Sequence, residues 1–306
     1  GFHAYFSMCK PRSGSMGYSG VVTYTRISPI ASEEGVTGVL ARDASRELIG
    51  GANSEAAFAG WTKTEKQEVD SEGRCVITDH RAFVLFNLYC PAITVDPDQD
   101  KEKFDQRVAF KKKFLHAVAL RVLALRRDGR KVLMLGDLNV AATPLDVAWN
   151  CVDSTSPSRK WLFKLYKEAK MVDTFRYFHP HRRQYTCWSQ VTGARVNNYG
   201  SRIDVIAGSG DLVGTMCEDA GIRDKVQGSD HCPIYLDFDG QMFPNEEVRG
   251  RKRRRKIAEC HYTARFVGQK RIHTFFGPAR TQTMIASASF SDPILPKTSC
   301  TSAAST

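Results

Sequence analysis

The 306-residue chain has no uninterrupted apolar run near the ~18 residues that a bilayer span requires, so no membrane partner is expected. Its nine cysteines include no Cys-x-x-Cys pair, which leaves a zinc-finger reading without support. Their odd number, wide scatter and placement in apolar runs (Cys90, Cys232) favour reduced thiols in an intracellular compartment. No glycine-rich phosphate fingerprint follows a strand-like run, which argues against dinucleotide or nucleoside triphosphate binding. The opening GFHAYFSMCK is not built like a signal peptide, and with Gly at position 1 the chain is expected to be incomplete at its start.

What is present is an ordinary globular composition, 42% hydrophobic and 25% charged, with an uneven net charge of +11. Residues 241–306 hold 12 Lys/Arg against 4 Asp/Glu, whereas residues 1–240 hold 32 against 29. A nearly balanced body with a basic tail is the expected organisation, divided near residue 240. The tail contains RGRKRRRK and then a Ser/Thr/Ala/Pro-rich stretch that cannot bury enough apolar surface to order itself.

Within the body, short β-branched and aromatic runs at 20–25, 75–80, 82–90, 131–138, 202–208 and 233–238 predict strands. Helical spacing predicts helices over 101–129, stopped by Gly129, and over 158–170, with Ser158 as the N-cap. Hairpin-like strand pairs mixed with helices fit a layered α/β sandwich better than a Rossmann sheet.

Four polar signatures interrupt the apolar strands: FNLYCP, LMLGDLNV, GSRIDVIAGS and GSDHCPI. Taken singly, GDLN could be a turn, RID a surface strand and Tyr89 a core aromatic. Taken together, they place polar groups where buried strands emerge, which is where α/β folds assemble active sites. Asp137 and Asn139 have period-2 spacing and would share a face. Asp204 is a candidate partner to fix the tautomer and charge of His231, while Asp230 would suit a hard divalent cation.

GYSGV, LYCP, GDLNVA, YTCW, NYGSRID and GSDHCPI together resemble the exonuclease III-type AP endonucleases of the endonuclease/exonuclease/phosphatase superfamily, nearest the eukaryotic second-type branch. The likeness covers about residues 17–236. It implies a four-layer α/β sandwich, two packed mixed β-sheets flanked by helices, that hydrolyses DNA phosphodiesters with Mg²⁺ (Mn²⁺ as the alternative). It also implies that Tyr89 binds the scissile phosphate and that Asp137, assisted by Asn139, activates water. Asp204 would orient His231 as a donor to a phosphate oxygen. Asp230, with Asp137, Asn139 and His231, would form the metal site, and Tyr18 and Arg74 would touch the DNA backbone. Family members begin with two strands carrying an Asn and a metal-binding Glu, which this sequence is expected to lack. Where the family has large aromatics lining an abasic pocket, Cys187 and Ser201 stand here, with Ile203 retained. That looser pocket implies 3′–5′ exonuclease and 3′-end processing in base excision repair over strong abasic-site incision.

In the tail, QKRIHTFF places Gln269, Ile272, Phe275 and Phe276 in a spacing that resembles the peptide docking on the sliding clamp, proliferating cell nuclear antigen. One 3₁₀ turn would gather Ile272, Phe275 and Phe276 into an apolar plug. The basic cluster at 249–257 reads as a nuclear localisation signal or a non-specific DNA patch, so the nucleus is the expected location, with mitochondrion or cytoplasm as alternatives. Two other readings stay open: a catalytically weak or inactive clamp- and DNA-binding protein, and a phosphodiesterase of the same fold acting on other substrates.

Overall fold

The computed structural model describes residues 2–9, 17–41, 47–239 and the backbone of 259–260. The basic cluster at 249–257 and the clamp-peptide residues Gln269, Ile272, Phe275 and Phe276 lie outside the described residues.

The strands in chain order are β1 (His3–Met8), β2 (Gly20–Thr25), β3 (Ala31–Glu34), β4 (Cys75–Asp79), β5 (Val84–Tyr89), β6 (Val132–Asp137) and β7 (Met171–Asp173). They continue with β8 (Cys187–Trp188), β9 (Gly200–Ser201), β10 (Asp204–Ser209), β11 (Cys217–Ile222), β12 (Ile234–Phe238) and β13 (Glu259–Cys260). The helices are α1 (Gly51–Ala56), α2 (Lys63–Asp70), α3 (Lys101–Arg127), α4 (Pro157–Ala169), α5 (Thr174–Phe178) and α6 (Gly210–Met216).

Six strands form a mixed sheet in the order β3-β4-β5-β6-β10-β7. β5 and β6 run parallel, joined by the long α3, and their neighbours run antiparallel. Period-2 alternation sorts the two faces of this sheet. Phe86, Leu88, Met134, Val205 and Ala207 meet Phe114, Val118, Val122 and Leu125 of α3 and Leu162 and Leu165 of α4 in one buried cluster. Full burial of each large side chain there contributes about 1.5–3 kcal/mol. On the other face Leu85, Leu133, Leu135 and Ile206 pack with Phe83, Leu212, Ile234, Leu236 and Phe238, the last three from the β11–β12 hairpin. β2 is tied to the same face by Asn87, whose Nδ2 donates to the Val22 carbonyl at 2.9 Å and to Thr23 Oγ1 at 3.2 Å.

All six strands and both helices expected from the sequence are present, with ends shifted by a residue or two. α4 begins at Pro157, so its N-cap is Ser156 and not Ser158, because proline's fixed φ suits the first helical position. Gly129 follows the end of α3 with φ of 71°, the left-handed turn that glycine adopts without strain. The strand ahead of GYSG, β1, carries neither Asn nor Glu, and the two residues of β13 pair with it in parallel from within the segment assigned to the tail.

A buried carboxylate fixes the turn after β3. Asp70, at the end of α2, accepts hydrogen bonds from the Val36 N–H at 2.7 Å, the Thr37 N–H at 3.1 Å and the Thr37 hydroxyl at 2.6 Å. Gly35 passes this carboxyl with φ of 83°, and a Cβ there would sit 2.4 Å from Asp70 Cγ. Burial, opposed by those hydrogen bonds, pushes the Asp70 carboxyl up to about 6. The folded state therefore holds the proton more tightly than the unfolded chain. Asp70's contribution to stability is greatest below pH ~4 and falls by about 3 kcal/mol as pH rises to ~6. Asp70→Asn, which does not titrate, should show a larger deficit against the parent at pH 4.5 than at pH 7.5 in urea denaturation; equal deficits would contradict this linkage.

Candidate active site

The register of three strands builds the site. Tyr89 of β5 pairs with Asp137 of β6, and Asp137 pairs with Asp204 of β10. Paired residues point the same way, so the three form one row on the face that, further along the same strands, is apolar core. At this end the core runs out and all three are only partly buried.

His231 enters the row from the loop before β12. Its Nδ1 lies 2.7 Å from Asp204 Oδ2, and a donated Nδ1–H turns Nε2 to the other side of the ring. Thr186 supports this pair by accepting from the N–H groups of Ile203 and Asp204, each at 3.1 Å, while its carbonyl accepts from the Cys232 N–H at 2.9 Å. Burial works against a charged imidazole here, but the hydrogen bonds of Asp204 and Cys187 and the charge of Asp204 push His231 up to about 11. It is a standing cation with a directed N–H.

Asp137 is held by Asn139, which takes a left-handed backbone (φ 50°) to fold back on it. The Asn139 N–H donates to Asp137 Oδ1 at 2.8 Å, and Asn139 Nδ2 bridges Asp137 Oδ2 at 3.0 Å and the Cys90 carbonyl at 2.9 Å. Lys111, on α3 and 5% exposed, donates to the Asn139 carbonyl at 3.1 Å. Burial first, then the charge of Asp204, push the Asp137 carboxyl up to about 6, against the pull of Asn139, His231 and Lys111. A carboxylate in that range suits proton abstraction from water near neutrality.

Tyr89 stands over Arg74, whose guanidinium lies 4.6 Å from the ring centroid and whose Nη1 donates to the Tyr89 carbonyl at 3.0 Å. Arg74 is 2% exposed and its Nε is bound to Glu72 at 2.6 Å, so it supports Tyr89 from beneath. Glu72 is also gripped by both bonds of Arg107, at 2.8 and 2.9 Å. Tyr18, 65% exposed, lies over the same guanidinium at 5.9 Å. Cys187 pairs with Ser201 in the β8–β9 hairpin and bridges to His231, and Ile203 leads into Asp204. Asp230 is exposed, and its carboxylate accepts from Ser229 Oγ at 3.1 Å, away from the Asp137–Asp204 pair's hydrogen bonds.

Among the described residues no group of three or more His, Cys, Asp or Glu could hold a metal ion. Asp137 and Asp204 offer hard oxygens, but Asp137 is engaged by Asn139 and Asp204 by His231. These donors by themselves fall short of a cation site.

Glu72, Arg107, Lys111 and Thr186 were not singled out in the sequence. Lys111 and Thr186 act on Asn139, Ile203 and Asp204 from far along the chain, Glu72 binds Arg74 two residues on, and Arg107 reaches Glu72 from α3. Arg202 is a similar case: fully buried, it donates to Asp146 and Asp173, both at 2.7 Å, and so pins the strand that carries Asp204. Arg176 also binds Asp146.

Residues 1–231 match the model of the Endonuclease/Exonuclease/phosphatase family. The chain is 36% identical over 259 residues to the mouse DNA-(apurinic or apyrimidinic site) endonuclease 2, covering 76% of this chain and 47% of the relative. It is 30% identical over 299 residues to the protein of that name from Schizosaccharomyces pombe, covering 90% and 54%. The chain thus spans about half the length of the curated relatives it matches. Among solved structures, the APE2 catalytic domain of Xenopus laevis matches with a TM-score of 0.63 and 33% identity, covering 78% of this chain and 76% of that one. A 3′-5′ exonuclease from Neisseria meningitidis shares the fold, with a TM-score of 0.56 at 21% identity over 78% and 80%.

Gly136 tests the register. Its φ is 126°, and a Cβ would lie 2.0 Å from the Leu88 carbonyl oxygen, a backbone atom that cannot swing aside. Gly136→Ala should force β6 from β5 between Tyr89 and Asp137 and cost about 2 kcal/mol or more in urea denaturation. An unchanged unfolding midpoint would mean that this close approach does not set the site.

Proposed function

The chain belongs to the endonuclease/exonuclease/phosphatase family, and from that premise we propose that it is a DNA repair nuclease hydrolysing phosphodiesters at abasic sites and blocked 3′ ends. In this reading 3′–5′ exonuclease and 3′-phosphodiesterase work outweighs abasic-site incision. The observation that carries the reading is the in-register row of Tyr89, Asp137 and Asp204 with His231 bound to its end. The names of the relatives support DNA as the substrate. The small side chains of Cys187 and Ser201 beside His231 support the preference for 3′ ends.

The roles follow from the chemistry of the groups. Asp137, lifted to about 6, accepts the proton of the attacking water, with Asn139 fixing the carboxylate. His231, kept cationic, donates its Nε2–H to a non-bridging phosphate oxygen as negative charge builds. The Tyr89 hydroxyl holds the scissile phosphate, and Arg74, bound to Glu72 and the Tyr89 carbonyl, fixes the ring from beneath. Tyr18, Ile203, Cys187 and Ser201 face the DNA. Magnesium, with manganese as the alternative, is the cofactor we assign. Asp230, Asp137 and Asn139 are the oxygen donors this chain would contribute, and a bound dication would neutralise phosphate charge; the fourth residue the resemblance assigns to the metal, His231, is cationic and has no lone pair to offer it. Those donors do not make a closed site.

That shortfall also favours a second reading, a catalytically weak protein that binds DNA and the clamp. Cleavage of a 3′-recessed duplex and an abasic duplex by the 306-residue chain with Mg²⁺ separates the two. Asp137→Asn should abolish turnover while leaving binding of a non-cleavable oligonucleotide nearly intact, and His231→Asn should lower turnover by about 10²-fold or more. Near-parental cleavage by Asp137→Asn would reject its role as the base.

The tail completes the proposal, with residues 1–240 as the nuclease domain and 241–306 as a nuclear-targeting and clamp-binding segment. Phe275 and Phe276 are its two large apolar anchors, and truncation of such anchors typically costs ~2 kcal/mol or more each. Phe275→Ala with Phe276→Ala should abolish capture by the sliding clamp in a pull-down and remove any clamp-dependent gain on long primed templates, where tethering raises local concentration. Equal capture of the double variant would reject the motif.

A further inference from the structure

Beyond the catalytic row, an aromatic pair lies on a continuation of the same surface. Cross-strand pairing sets His231, Cys187, Ser201 and Val147 side by side, because His231 bridges Cys187, Cys187 pairs with Ser201, and Ser201 bridges Val147. Two residues along, on the side of the chain that Ser201 faces, stands Tyr199, whereas the intervening Gly200 and the following Arg202 face inward and are buried. Opposite it, the chain turns through an Ala148 N–H donated to the Gly200 carbonyl at 2.9 Å, which brings Trp149 against Tyr199. Their ring centroids are 5.9 Å apart at 39°, and Tyr199 is 49% exposed.

The two large aromatics are held together beside the candidate site, Tyr199 exposed and Trp149 partly so. The adjoining charge is positive. The exposed Arg183 is anchored to this turn by bonds to the Val147 carbonyl at 2.7 Å and Asn150 Oδ1 at 2.8 Å, and the exposed Arg182 precedes it. We propose that Trp149 and Tyr199 form a base-stacking platform for the DNA strand a few nucleotides from the reacting phosphate, with Arg183 on the backbone. Strand geometry puts the pair on the order of 12 Å from His231, two strand spacings across and two residues along. At ~3.4 Å of rise per stacked nucleotide that is three to four nucleotides along an unpaired strand. Stacking on an aromatic face is indifferent to base identity, so the platform grips any sequence while the catalytic row selects the phosphate.

This platform deepens the nuclease reading, and the test keeps the two apart. Oligonucleotides with a phosphorothioate at the terminal linkage and 2-aminopurine at successive positions are titrated with the 306-residue chain in EDTA, following anisotropy and 2-aminopurine fluorescence. The expected result is a quench confined to positions about three to four nucleotides from the terminal linkage. Trp149→Ala with Tyr199→Ala should remove that quench and weaken binding by about 10- to 100-fold. Trp149→Phe with Tyr199→Phe should retain both. Unchanged affinity and quench in the alanine pair would overturn the platform and leave the catalytic reading standing. Equal losses in the phenylalanine pair would show a structural role and overturn it as well. Failure of the parent chain to bind any of these strands would overturn the nuclease reading together with the platform.

Discussion

Everything at the candidate site depends on the register between β5, β6 and β10. Strand pairing is quantised, and a slip of one residue would turn Tyr89, Asp137 or Asp204 to the helix-packed face. The register is held by core side chains on both faces: Phe86, Leu88 and Met134 against α3, and Leu85, Leu133 and Ile206 against the β11–β12 hairpin. Gly136 allows a close approach, since a Cβ there would lie 2.0 Å from the Leu88 carbonyl oxygen. The hydrophobic core and the polar row are thus one construction, with apolar residues in the middle of three strands and chemistry at their ends.

Around that row, buried charges arrange the reactive ones. Arg74 and Arg107 both bind Glu72, so the guanidinium under Tyr89 is held by a partner that leaves its cation–π face directed upward. Arg202 binds Asp146 and Asp173 while being almost wholly excluded from solvent. Removing one member of such a group strands a charge, which typically costs ~3–5 kcal/mol. These networks join the loop after β6, the end of β7 and the approach to β10, and so couple the stability of the domain to the placement of Asp204.

The electrostatics of the site work in opposite senses at its two ends. Burial and the neighbouring Asp204 raise the affinity of Asp137 for a proton, while Asp204 and Cys187 hold a proton on His231. One carboxylate, Asp204, therefore acts on both: its charge raises the proton affinity of Asp137 and helps hold a proton on His231. In the proposed nuclease reading, this opposition lets one group take a proton while its neighbour keeps a positive charge.

The sequence by itself determined β2, β4, β5, β6, β10 and β12 and the polar signatures at their ends, because period-2 alternation and short polar signatures are local. GDLN, RID and SDH could be recognised without a structure, as could the apolar faces of α3 and α4. Local pattern failed where a structural role rests on remote partners. β3, whose four residues ASEE include two glutamates, is a strand only because β4 pairs with it. Lys111 reads as one of three surface lysines in a row, yet tertiary packing buries it against Asn139. Arg74, which the resemblance places on the DNA backbone, is committed by packing to Glu72 and Tyr89. Trp149 and Tyr199 are fifty residues apart and meet only through the contacts that Val147 and Ala148 make with β9. Residue type and spacing are written in the chain, but a long side chain's partner is decided by which distant backbone the fold brings within its reach.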